Sequence, residues 1–356
     1  DLFGLDYTLH HAMLMMIHLL NVLLVFIIFK KVCARKDGIN DNAFWSGLLA
    51  AAFFGIWART HMAVQWDAAI FDLLGTFLSL LSMWFYLQYR TSEKYRGQNL
   101  ILTLFFYYLA IRTKEMFLII PFLFVLYEIW EMTLEKQLKQ ITAVTKSCCV
   151  IFSIFFGLIV YCKLQGSITN DVTNPYYQSF NLILLLKNLF YYCMLCFDLE
   201  GTGWNYVFSV SGLIGLVILL LGFVFSIYKI LYQKKCELFL CYIALCFSVV
   251  IVLPMVNQTH VLYLYFPAIF IGLLFATLIN SVKKKDLVVI ILMCAFLTTN
   301  FTTSTLNIRD YWISISKMEK MAWEDIQEIT APIPETTIYI RNTDNLAYTP
   351  FFYGEG

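Results

Sequence analysis

Four short polar clusters interrupt an otherwise apolar chain, and each holds residue types that could bind a ligand. Arg112-Thr113-Lys114-Glu115 puts two cations and a carboxylate in four residues. That set fits a phosphate, although a polar turn closed by its own salt bridge has the same composition. Arg59-Thr60-His61, with Trp66 and Asp67 a few residues on, offers a cation, an imidazole and a carboxylate, or else a solvated loop. Gln258-Thr259-His260 is followed by Tyr263 and Tyr265. A protonated His260 would hold a phosphate or orient a headgroup; an interfacial histidine in an aromatic belt is the plainer account. Asp6 with His10, His11 and His18 hints at a metal, but no third ligand stands at a useful spacing. Asp72 sits alone, one turn into an apolar run, where it either caps the helix or lines a cavity.

The elements that must position these groups are long apolar helices. The chain has 356 residues, 60% hydrophobic and 14% charged. A soluble domain carries about 25% charged residues. Phe 32, Tyr 22 and Trp 8 suit an aromatic-rich bilayer protein. A net charge of +1 argues against a nucleic-acid partner. The ten cysteines lie mostly in apolar runs and make no disulfide framework. Cys193-x-x-Cys196 lacks the second Cys/His pair that a zinc site needs. No P-loop, nucleophile elbow, H-E-x-x-H or dinucleotide fingerprint occurs, which excludes a direct ATP-driven pump and most soluble-enzyme chemistry.

Apolar runs read as spans are His10–Phe29, Ala43–Ala58, Ala68–Gln88, Leu100–Ile111, Met116–Trp130, Ser147–Tyr161, Ser209–Ile227, Leu238–Val252, Leu262–Ile279 and Leu287–Asn300, of which Leu100–Ile111 and Met116–Trp130 are short and need flanking residues or a locally thin site. Most of the 25 Lys and Arg fall in alternate loops. These hold Lys30, Lys31, Arg35 and Lys36; then Arg90, Lys94 and Arg96; then Lys136, Lys139 and Lys146; then Lys229, Lys234 and Lys235; then Lys283, Lys284 and Lys285. The positive-inside rule puts those loops in the cytoplasm. The four clusters then face outward. Leu182–Phe197 is apolar, but as an extra span it would invert every later loop, so it is expected to lie at the outer interface. Residue 1 starts on the outer side, which implies an upstream span. Residues 305–356 form an outer tail, with helical spacing over Asp310–Ile329 and a strand at Thr336–Ile340. The expected fold is thus an all-α polytopic membrane protein of about ten transmembrane helices (residues 1–304), with an outer interfacial helix and a small α+β extracytoplasmic tail.

The order of these features resembles the GT-C superfamily of polytopic glycosyltransferases that use lipid-linked sugars, in particular its bacterial and O-mannosyltransferase branch of the TPR-bearing kind. His10-His11 through Ile17-His18-Leu19-Leu20-Asn21 is similar to that family's second span. Val64-Gln65-Trp66 through Asp72-Leu73-Leu74 resembles its V-x-W…D-L-L stretch, and Thr113-Lys114-Glu115 with Pro121 its S-K-E…P junction. Tyr263-Leu264-Tyr265-Phe266-Pro267 resembles its R-Y-L-Y-L-P stretch. There are departures. Ala58 and Met62 fall where the family often has Pro and Glu, and the Arg before Y-L-Y is absent, with His260 nearby.

The resemblance implies a hexosyltransferase that moves sugar, with inversion, from a polyprenyl-phosphate donor to a protein or glycan acceptor. The expected setting is the outer face of a bacterial plasma membrane. Arg112 and Lys114 are the expected phosphate ligands, supported by Arg59, His61 and His260. Glu115 would orient Lys114. Asp67 and Glu115 are secondary acid candidates, since the family's main acidic residue would lie upstream of residue 1. Trp66, Asp72, Tyr263 and Tyr265 would line the cavity. No cofactor is indicated; a divalent metal is compatible with the chemistry but has no ligand set in the sequence. A lipid-linked glycan polymerase or ligase, a flippase or transporter, and a non-catalytic assembly subunit share many of these features.

Overall fold

A computed structural model describes residues 7–37, 41–57, 60, 63–64, 69–134, 181–196, 210–233, 236–249, 253, 261–281 and the isolated helical positions 313, 317 and 321. Every regular element among the described residues is helical. In chain order they are α1 (Tyr7–Asp37), α2 (Asp41–Ile56), α3 (Ile70–Thr91), α4 (Arg96–Thr113), a 3-10 turn (Glu115–Ile119), α5 (Ile120–Leu134), α6 (Leu182–Leu195), α7 (Val210–Gln233), α8 (Glu237–Val249), a second 3-10 turn (Val261–Leu264) and α9 (Pro267–Ser281). Two stretches are long and apolar enough to cross a bilayer, Leu9–Ala34 within α1 and Ile70–Thr91. At 1.5 Å per residue they reach about 39 and 33 Å, against roughly 30 Å of hydrocarbon. Shorter apolar helices follow, including Ala43–Ile56, Glu237–Val249 and Pro267–Leu278. The expected spans at 147–161 and 287–300, and the strand at 336–340, lie outside the described residues. Ile313, Lys317 and Met321 are helical, as the tail's spacing predicts.

The helices run up and down. Lys31 at the end of α1 donates to Thr91 Oγ1 at the end of α3 at 3.0 Å, and its ammonium lies 4.9 Å from the Trp84 ring. So α1 and α3 are parallel, and α4 returns antiparallel, with Ser82 donating to Thr103 O. α2 packs between α1 and α9. The contact with α9 is close because Gly272 has no side chain: a Cβ there would lie 2.6 Å from Ala50 O.

The two 3-10 turns share a cause. Each runs into a proline that opens the next α-helix, Pro121 in the first turn of α5 and Pro267 at the start of α9. Proline has no N–H to donate, so the chain enters the helix through a tighter turn.

The core is apolar, but it also encloses polar and charged side chains, and large apolar side chains lie on the outside. His18, Asn21, Asp72, Thr76, Ser79, Ser82, Thr103, Glu128 and Glu131 are buried, while Met16, Leu19, Leu23, Ile101, Leu221 and Val224 are exposed. α6 shows the same pattern, with Asn188 and Tyr192 inward and Leu182, Ile183 and Leu186 outward.

Candidate functional site

The site is assembled where α3 begins, α4 ends and the second 3-10 turn passes. Thr113 closes α4, its hydroxyl donating to Ala110 O at 2.6 Å. Lys114 then adopts extended backbone, φ −158° and ψ 141°, which breaks the helix and turns its side chain inward. Its ammonium donates to both oxygens of Asp72, at 2.7 and 2.8 Å. It also sits 4.6 Å from the centre of the Tyr263 ring. Asp72 is 2% exposed. A buried carboxylate needs such a partner, because desolvation otherwise makes the charge very costly. Gly75, one turn along α3, is what allows the approach: a Cβ there would overlap the Phe117 ring and Thr113 Oγ1. Phe117 in turn meets Phe266 edge-on at 5.4 Å.

A second, neutral network lies beside this pair. Asn21 Nδ2 donates to Leu73 O at 3.0 Å and to the Tyr265 hydroxyl at 3.1 Å. His18 Nδ1 is 2.8 Å from that hydroxyl, and Nε2 is 3.2 Å from Gly55 O. A carbonyl only accepts, so Nε2 carries the proton and the hydroxyl donates to Nδ1. The network therefore joins α1, α2, α3 and the stretch before α9. Tyr263 and Tyr265, two residues apart, divide between the two groups.

Of the residues singled out by sequence, Asp72, Lys114, Tyr263 and Tyr265 come together here. Lys114, which Glu115 was expected to orient, pairs with Asp72, because the extended backbone at Lys114 aims it at α3. Arg112 is exposed on the last turn of α4. Of the 59–61 cluster, Thr60 is described; its hydroxyl caps back onto Trp57 O. Arg59, His61, Trp66, Asp67 and His260 lie outside the described residues. His18 faces the core, with both ring nitrogens engaged.

A third group was missed at the opposite end of α3. Arg90 bridges Glu128 (Nε to Oε1, 2.7 Å) and Glu131 (Nη2 to Oε2, 3.1 Å). Tyr86 and Tyr127 donate to the same two carboxylates, each at 2.7 Å. The i, i+3 spacing of Glu128 and Glu131 inside an apolar helix was the available signal.

No family model, curated protein or solved structure matches this chain.

Proposed function

We propose that this chain is a polytopic membrane glycosyltransferase that takes sugar from a polyprenyl-phosphate donor on the extracytoplasmic face. The observation that carries the reading is the inward-turned Lys114 ammonium, fixed by Asp72 at the end of α3 away from Lys31, Arg90 and Arg96. Two of its three N–H groups are committed to Asp72, which leaves one donor for a phosphate oxygen. In the reaction an acceptor oxygen attacks the anomeric carbon as the bond from that carbon to the phosphate oxygen breaks. The electron pair leaves on the lipid phosphate, and the acceptor's proton passes to a carboxylate. Lys114 and the exposed Arg112 would stabilise the charge gained by the phosphate. Arg59, His61 and His260 would support them, and Asp67 is a candidate for the acidic group. The prenyl chain would lie against the apolar exterior.

The test gives full-length protein, reconstituted in lipid, a polyprenyl-phosphate sugar and measures released lipid phosphate. Lys114→Ala alone would strand Asp72, so the informative variant is the neutral pair Asp72→Asn/Lys114→Gln. It is expected to fold and to release lipid phosphate about 10²-fold more slowly; unchanged release removes Lys114 from the chemistry. A flippase for lipid-linked glycan is the rival that draws support from the half-buried Arg90 and its buried partners Glu128 and Glu131. It would move the donor across the bilayer and release no lipid phosphate.

A further inference from the structure

Serine and threonine in apolar helices usually donate to a carbonyl one turn back. Thr91, Thr103, Ser226, Ser248 and Thr277 all do so. Thr76 and Ser79 on α3 are different. Both are fully buried, and their hydroxyl oxygens have no hydrogen-bond partner among the described residues. The same is true of Asn21 Oδ1 on α1, whose amide nitrogen is committed to Leu73 O and Tyr265.

Helix geometry ties two of these atoms to one turn of α3 and sets the third a turn further on. Side chains on a helix lean toward its N-terminus, so the side chain of Thr76 lies over the turn that carries Leu73 O. Asn21 is bonded to that carbonyl and stands beside Thr76. Ser79 follows three residues on, continuing the buried stripe that starts at Asp72. Native interiors seldom leave buried polar atoms unpaired, and adjacent orphans point to a common ligand.

Its chemistry follows from the set. One pure acceptor and two hydroxyls match water, which would accept from the hydroxyls and donate to the amide oxygen. A sugar is too large for a seam whose lining is fully buried. A metal cation finds three neutral oxygens next to an aspartate whose charge Lys114 already balances. We propose that Asn21 Oδ1, Thr76 Oγ1 and Ser79 Oγ hold internal water between α1 and α3, one turn inside the Asp72–Lys114 pair. This water extends the polar site along α3, so the pair is hydrated from within the bundle as well as from its mouth. The water site depends on the helix packing and not on sugar transfer.

Thr76→Val, a change of nearly constant shape, separates wet from dry. In purified full-length protein it removes a bond to water and lowers the melting temperature by about 2 °C or more. A rise in melting temperature would mean that the hydroxyl was a dry orphan, and would overturn the proposal. Radical footprinting gives a second readout, since internal water generates hydroxyl radicals in place. Tyr265, fully buried and bonded to Asn21, is expected to oxidise several-fold more slowly in Ser79→Ala and in Thr76→Val than in the parent. Equal oxidation rates would sink the water site even if either variant melts early. Melting that depends on sodium against choline in the parent, and not in Thr76→Val, would identify a cation and also refute it.

Discussion

At the scale of single residues, the Asp72–Lys114 pair makes each partner's substitution a statement about the other. The Asp72 side chain is 3% exposed and that of Lys114 is 23% exposed. Lys114→Met leaves a buried carboxylate without its cation, and such losses cost about 3 kcal/mol. The double variant Asp72→Asn/Lys114→Met removes the stranded charge and is expected to regain most of that stability, which a chemical or thermal unfolding series on all three variants will measure. If the double variant is no better than Lys114→Met, the pair does not hold the helices as described. Tyr265→Phe tests the neighbouring network. It leaves Asn21 Nδ2 one acceptor short and His18 Nδ1 without its donor, and should cost about 1–3 kcal/mol. The sequence made Asp72, Lys114, Tyr263 and Tyr265 visible as polar or aromatic residues in apolar surroundings. It could not show the pairing. Asp72 and Lys114 are 42 positions apart, and His18 and Tyr265 are 247 apart. Local spacing instead favoured Glu115, the next residue in the chain.

At the scale of elements, what holds the site is the close contact of α3 with the first 3-10 turn. Gly75→Ala places a methyl group against the Phe117 ring and Thr113 Oγ1. Overpacking of this kind costs about 1–3 kcal/mol. It should also displace Lys114, so lipid-phosphate release falls with stability. Gly75→Ala/Phe117→Leu relieves the clash at the ring, and its melting temperature is expected to exceed that of Gly75→Ala alone. The helices themselves were legible, since apolar runs bounded by charged residues mark α2 to α4 to within a few positions, while α1 continues to Asp37, well past its expected end at Phe29. The 3-10 turns were not read, although Pro121 and Pro267 were in view. A proline reports where an α-helix can begin. It does not say what geometry the chain adopts just before, and that geometry is what aims Lys114 and Tyr263 inward.

At the scale of the molecule, polar groups inside and apolar groups outside are what a bilayer demands, because buried side chains must find partners and exposed ones meet hydrocarbon. The parallel course of α1 and α3 gathers Lys31, Arg90 and Arg96 at one end and Asp72 and Lys114 at the other. The alternation of basic loops was readable because it depends on composition alone; the internal ion cluster around Arg90 was not, because its partners come from different helices. Together these features predict a definite sidedness. Gly97 lies just inside α4 at the basic end with open space around it, so Gly97→Cys is tolerated. Leu9, near the start of α1, is 46% exposed. In a background free of the ten native cysteines, a membrane-impermeant thiol reagent applied to intact cells should label Leu9→Cys and spare Gly97→Cys until the membrane is opened. The reverse pattern would put Lys114 in the cytoplasm, away from any donor presented outside. Labelling of both positions in intact cells would mean that the basic end is not shielded by a bilayer, and would remove the physical ground for reading the apolar exterior as lipid-facing.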